Sequence, residues 1–181
     1  MKKIKVLMVI VMLLLCTTML VGCSTETTQT GASGISKTNE IKELRIGDEW
    51  IVEGQWKLTI NSVTSTLDRN EFSDKNPGQV VVVTYTYENL GYEDEWGIMD
   101  GLYFDLEPNG DTTVIDGDGE IAYSYPGDIS TYPQETPVGA KCVNAECCIG
   151  LNNESETITM NISKYDGNGN EQKVKYILTV D

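Results

Sequence analysis

Across residues 41–181 apolar side chains recur at every second position, and this spacing limits the folds open to the chain more than any other feature. Trp56, Leu58 and Ile60 alternate with Lys57, Thr59 and Asn61. Val81, Val83, Tyr85 and Tyr87 alternate with Val82, Thr84 and Thr86. Leu102, Phe104 and Leu106 alternate with Tyr103 and Asp105. The same rhythm runs through Ile158, Met160 and Ile162, then through Val174, Tyr176, Leu178 and Val180. A period of two sends neighbouring side chains to opposite faces of an extended strand, so each segment reads as a half-buried strand. Turn chemistry separates them: Val52-Glu53-Gly54-Gln55, Asn76-Pro77-Gly78, Pro108-Asn109-Gly110, Asp116-Gly117-Asp118-Gly119 and Asp166-Gly167-Asn168-Gly169. No long stretch carries helical spacing, and Asn70 to Lys75 is expected to form only a short turn. The expected fold is all-β, a two-sheet antiparallel β-sandwich, with a partly open barrel as second choice. Roughly 140 residues are enough to bury one core.

The start of the chain follows a different logic. Lys2, Lys3 and Lys5 precede an unbroken apolar run over residues 6–16, and Leu20-Val21-Gly22-Cys23 closes it. Charge, apolar core and small residues in that order make a secretion signal. The run is shorter than the ~20 apolar residues that span a bilayer core. The tetrad ending in Cys23 reads as a lipobox, so residues 1–22 are expected to be cleaved and the Cys23 thiol lipidated. Residues 24–38 read STETTQTGASGISKT. They hold too little apolar surface to order themselves and make a tether spanning roughly 20 Å. The expected organisation is a signal over 1–22, lipidated Cys23 with its tether over 23–40, and one sandwich domain over 41–181. The place this implies is the extracytoplasmic face of a cell membrane.

Charge and composition exclude several functions. Removing residues 1–22 leaves ten Lys and Arg against 28 Asp and Glu, a formal charge of -18. Such a chain is repelled by nucleic acid and by anionic headgroups, so nucleic-acid binding is ruled out. The chain has no histidine. Ser-His-Asp and Cys-His catalysis are therefore excluded, as are histidine-containing zinc sites. Cys142, Cys147 and Cys148 remain beyond the signal and the lipid site. Cys142 and Cys147 are placed to close a tight hairpin in an exported protein. The alternative, slightly favoured, makes all three small apolar residues, with Val143, Ala145, Cys147 and Ile149 on one buried strand face.

Two segments suggest a family. Ile46-Gly47-Asp48-Glu49-Trp50-Ile51-Val52, followed by Trp56-Lys57-Leu58-Thr59-Ile60-Asn61-Ser62-Val63, resembles its opening hairpin. The run from Gly78 to Gly91, GQVVVVTYTYENLG, resembles its central strand, which ends in an asparagine. The family is the immunoglobulin-like domain of uncharacterised Gram-positive lipoproteins, related in fold to a small secreted immunoprotective antigen. The resemblance covers about residues 46–180. It implies a two-sheet sandwich on a lipid anchor, with no catalytic residues to carry over. The chain departs from the family over Cys142 to Cys148, where larger apolar residues are usual. Independently of the family, Asn89 is expected to bond a turn backbone at its strand end.

Three groups of residues are candidates for function. Asp111, Asp116, Asp118 and Glu120 lie in a glycine-rich acidic loop whose oxygens suit calcium, and Asp166, Asn168 and Asn170 form a second such turn. Neither loop is an EF-hand: Ile121 and Glu171 stand where the sixth-position glycine belongs. The competing reading of both is a tight hairpin turn. Tyr123, Tyr125 and Tyr132, near Tyr92, Trp96 and Tyr103, are candidates for stacking on a ligand from the long segment 117–137. Glu93, Asp94 and Glu95 read as a solvated acidic loop. The function expected from all of this is a non-catalytic, membrane-anchored surface lipoprotein that binds an envelope or surface protein. The alternatives are a calcium- or small-ligand-binding module and, last, an envelope hydrolase using carboxylates alone.

Overall fold

In the computed structural model residues 41–94 and 101–181 are described. The signal segment, Cys23, the tether and Trp96 lie outside them. Nine strands follow one another: β1 (Lys42–Leu44), β2 (Glu49–Val52), β3 (Trp56–Thr66), β4 (Gln79–Asn89), β5 (Thr112–Ile115), β6 (Tyr123–Ser124), β7 (Lys141–Leu151), β8 (Thr157–Tyr165) and β9 (Glu171–Thr179). They make a four-stranded sheet, β1-β9-β8-β5, and a five-stranded sheet, β2-β3-β4-β7-β6. The fold is the expected all-β sandwich. One pair departs from the antiparallel rule: β1 runs parallel to β9, with Lys42 opposite Val174. No described helix is long and apolar enough to cross a membrane.

The alternation does what its period requires. Trp56, Leu58, Ile60, Val81, Val83, Tyr85 and Tyr87 point inward from the five-stranded sheet, and Ile158, Met160, Ile162, Val174, Tyr176 and Leu178 meet them from the other. Each large apolar side chain buried this way contributes about 1.5–3 kcal/mol. Trp56 sits edge-on to Trp50, Tyr92 and Phe104, with ring centroids 5.5, 5.9 and 5.9 Å away. Three core tyrosines keep their hydroxyls satisfied by donating to backbone carbonyls: Tyr85 to Phe104, Tyr87 to Gln134 and Tyr176 to Leu58.

Two bulges decide where the alternation breaks. β3 gains a residue at Asn61, so the inward set passes from Ile60 to Val63. β7 gains one between the pairs Tyr85–Ala145 and Tyr87–Cys142, where Asn144 takes a φ of 55°. This corrects the expected buried face of that strand. Val143 is turned to solvent, 53% exposed, and Cys142 takes the inward place instead. Both bulges meet Thr86. Asn61 Nδ2 donates to Thr86 Oγ1 at 2.8 Å and to Asn144 Oδ1 at 2.9 Å. Cys142, Cys147 and Cys148 are all buried and free, so no bridge closes the hairpin.

Two further expectations need revision. Leu102, Phe104 and Leu106 are buried on alternate positions, yet their segment joins no sheet. Its backbone is held by the bridge of Leu102 with Thr136, by the Tyr85 hydroxyl from inside the core and by Lys164 Nζ on Tyr103 O. Segment 117–137 is not a free loop either. Ile121 bridges Ile115, Tyr125 N–H bonds Cys148 O at 3.1 Å, and Thr131 O accepts from Glu146 N–H at 2.9 Å. The segment is a strap that covers the open edge of β7, which blunts it against pairing with other chains.

Candidate functional site

A groove of about 390 Å³ opens at the end where β3 finishes and β4 begins. Its floor is the outer face of the five-stranded sheet. Val80 and Val82 point outward there, opposite Gly150 and Cys148 of β7. Outward positions should be wet, but Val80 and Cys148 are buried. Two segments cover them: the loop after β3, with Asp68, Arg69, Glu71 and Phe72, and the strap at Pro126, Gly127 and Asp128.

Asn70 builds this roof. Its N–H donates to the Tyr125 hydroxyl at 2.9 Å, and its Nδ2 donates to Pro126 O at 2.7 Å. Its Oδ1 accepts from Phe72 N–H at 2.9 Å, and its carbonyl accepts from Ser73 N–H at 3.1 Å. The expected short turn at residues 70–75 is this Asx turn. It lifts Phe72 into solvent, where the ring is 88% exposed, and Leu67 nearby is 94% exposed. Close approach seals the other wall. A Cβ on Gly127 would lie 2.5 Å from Cys148 Sγ, and one on Gly150 would lie 2.5 Å from the Tyr123 ring. Lys75 Nζ sits 4.3 Å above the centre of that ring.

The three aromatic candidates therefore part company. Tyr125 is buried and positions Asn70, and Tyr123 is half-buried between Gly150 and Lys75. Only Tyr132 is exposed, at 67%, and it lies outside the groove. The residues that line the groove, Phe72, Val80 and Val82, were missed in the sequence as site residues. The signal for Phe72 was present: it is one of two phenylalanines, set in the polar run Asp68 to Pro77.

The acidic loop does not gather around a point. Among the described residues no group of three or more His, Cys, Asp or Glu is placed to hold a metal. Asp116 explains why. Its Oδ1 accepts from the N–H groups of Asp118 and Glu120, and its Oδ2 accepts from Asn153 N–H and Nδ2. Both oxygens are spent on holding the turn, while Asp111, Asp118 and Glu120 face solvent. Asp166 repeats the device: Oδ1 accepts from Asn168 and Asn170 N–H, and Oδ2 accepts from Gln172 Nε2 at 2.9 Å. The two turns also share their backbone closure, the aspartate N–H donating to the carbonyl of the fourth residue on: Asp116 N–H to Glu120 O and Asp166 N–H to Asn170 O, each 2.9 Å. Burial alone would raise the Asp116 pKa, but the four donors outweigh it and hold the carboxyl below its ordinary value. At Asp166 the Asn170 N–H is the largest cause of the same lowering.

A second opening, about 260 Å³, is lined by Tyr103, Asp105, Asp111 and Lys164 among others. The Lys164 ammonium lies 5.3 Å from the Tyr92 ring and 5.1 Å from the Phe104 ring, and donates to Tyr103 O at 3.1 Å. Burial pushes its pKa down.

The chain enters the sandwich away from the groove. Residue 41 leads into β1, whose Lys42 pairs with Val174, toward the end of β9 that carries the Asp166 turn. The groove occupies the opposite end.

No protein-family model matches the chain, and no curated protein matches it. Similar solved structures include two bacterial proteins that overlap this chain over nearly their full lengths. One is MPT63, a secreted protein of Mycobacterium tuberculosis, with 14% identity over 77% of this chain and 98% of that one, at a TM-score of 0.48. The other is the yjhA protein of Bacillus subtilis, with 13% identity over 76% of this chain and 99% of that one, at a TM-score of 0.47.

Proposed function

We propose that this chain is a surface lipoprotein, anchored through Cys23 on the extracytoplasmic face of a cell membrane. Its sandwich acts as a non-catalytic binding module for an envelope or surface protein. The observation that carries this reading is Phe72, held 88% exposed by the Asn70 turn above a groove with an apolar floor. A large apolar ring fixed in water at the mouth of a groove is a contact residue in waiting. The signal and lipobox support the location.

A catalytic reading lacks comparable support. Three described acids, Asp116, Asp166 and Glu171, have pKa values displaced downward. A general acid working near neutral pH needs the opposite displacement.

Two measurements on cells test the proposal. Labelled fatty acid should enter the full chain and fail to enter Cys23→Ser. A photo-reactive residue at position 72 should give a discrete adduct, while one at position 132 should not. Equal adducts at both positions, or none at 72, would sink the binding half of the reading. Labelling of Cys23→Ser would sink the anchoring half.

A further inference from the structure

We infer that the groove's partner is a polypeptide segment in which a large apolar residue is flanked by lysine or arginine. This rests on the groove being the binding site. Two features of the groove specify the chemistry. The first is apolar: half-buried Val82 is the open part of a floor whose Val80 and Cys148 are already covered, and Phe72 stands exposed at the mouth. Burying a facing apolar side chain against them removes Phe72 from water.

The second is charge. Asp68, Glu71 and Asp128 stand around the groove, and all three are exposed. The cation among the lining residues is Arg69, whose Nη1 is turned back onto the carbonyls of Thr66 and Asp68 at 2.8 and 3.0 Å. Lys75, close by, is placed over the Tyr123 ring. The lining thus carries three exposed carboxylates against one exposed arginine, on a mature chain of formal charge -18. Such a field attracts cationic partners and repels anionic ones, including an acidic lipid surface. An apolar floor inside an acidic rim is complementary to an apolar residue between basic ones.

The test uses the full lipidated chain in nanodiscs of neutral phosphatidylcholine. Three peptides are titrated calorimetrically: Lys-Lys-Leu-Phe-Lys-Lys, its Glu-for-Lys counterpart, and Lys-Lys-Ala-Ala-Lys-Lys. The first should bind, and more weakly as salt rises, because exposed charges are screened. The other two should bind at least about tenfold more weakly. Phe72→Ser should weaken the first peptide by roughly tenfold, and Asp128→Lys by up to about fivefold. Tyr132→Ser, an exposed change outside the groove, should leave it unchanged. All three substitutions sit on the surface, so loss of folding does not cloud the result, and a thermal melt of each checks this. Equal binding of all three peptides, or of wild type and Phe72→Ser, overturns the inference. No binding of the first peptide also overturns it. If the position-72 adduct still forms on cells, the groove stands and its partner has other chemistry. If that adduct is missing too, the groove itself is not a binding site.

Discussion

The Tyr125 hydroxyl accepts the backbone N–H of Asn70 at 2.9 Å, across 55 residues of sequence. This bond joins the strap along β7 to the loop that carries Phe72. Together with Asn70 Nδ2 on Pro126 O, it makes the roof of the groove one piece rather than two loose loops.

Tyr125→Phe keeps the ring and deletes this acceptor. The Asn70 N–H is then left without its partner at a half-buried position. The expected cost is about 1 kcal/mol in a urea melt. Protease cleavage within residues 67–78 should become faster, because the loop is held to the strap by fewer bonds. Unchanged cleavage in a variant of unchanged stability would show that the roof is held elsewhere.

Why the sandwich was legible in the sequence and the groove was not follows from the distance over which each is encoded. Trp56, Leu58 and Ile60 declare their face by local period alone, and the Gly54 turn at φ 69° declares the hairpin beside them. Val143 was misread because a bulge depends on what lies across the ladder. Asn144 takes its left-handed φ where Thr86 and Asn61 supply hydrogen bonds, and no local pattern announces that. The roof is less legible still. It needs Asn70 to meet Tyr125, and nothing near either residue states the pairing. The acidic loop was legible as a turn but ambiguous as a cation site. Nor does any local pattern announce that Asn153 fills Asp116 Oδ2 from 37 residues away.

Asn89 should be the most costly polar residue to remove. It is fully buried at the end of β4. Its Oδ1 accepts from Gly91 and Tyr92 N–H at 2.9 and 2.7 Å, and its Nδ2 donates to Tyr92 O and Thr136 O at 3.1 and 2.9 Å. Asn89→Leu preserves approximate size but strips a partner from all four groups, of which Tyr92 N–H keeps Gln55 O and Thr136 O keeps Leu102 N–H. Each buried group left unpaired costs about 1–3 kcal/mol, so a loss of roughly 2 kcal/mol or more is expected from Gly91 N–H and Tyr92 O together. A urea melt measures it, and a loss under 1 kcal/mol would mean that the turn re-forms without the side chain.

Acid should unfold the domain partly through its two matched turns. The Asp116 and Asp166 carboxyls titrate below their ordinary values in the folded chain. A lowered folded-state pKa means that their stabilisation is fully present above the unfolded value, about 3.9. It is lost as pH falls through the lower, folded-state value. Urea midpoints measured from pH 6 to pH 2 should therefore drop below about pH 4. In the double variant Asp116→Asn and Asp166→Asn the drop should be shallower. An equally steep drop would assign acid sensitivity to other carboxylates.

Calcium gives a separate check on the same oxygens. A cation at Asp116 would have to displace N–H donors that already occupy both carboxylate oxygens. Calcium at a few millimolar should therefore leave the melting temperature where magnesium leaves it. A saturable rise specific to calcium would require native-state binding. It would return the acidic loop, with Asp118 and Glu120, to the list of sites.

The buried thiols should be silent until the sandwich opens. Burial is the largest cause raising the Cys147 and Cys148 pKa values, and the Glu107 carboxylate adds to it in both. The thiolate is the reactive form, so a maleimide at pH 7.5 meets little of it. Sterics act in the same direction. Cys147 lies in the core, and Cys148 lies under Gly127, where even a Cβ would come within 2.5 Å of Sγ. The mature lipidated chain should take no label at Cys142, Cys147 or Cys148 when folded, and label at all three in urea. Rapid labelling of Cys148 alone would show that the groove roof lifts from the sheet in solution. Fast exchange of that kind would place the Asn70–Tyr125 contact among the bonds that break when a partner enters.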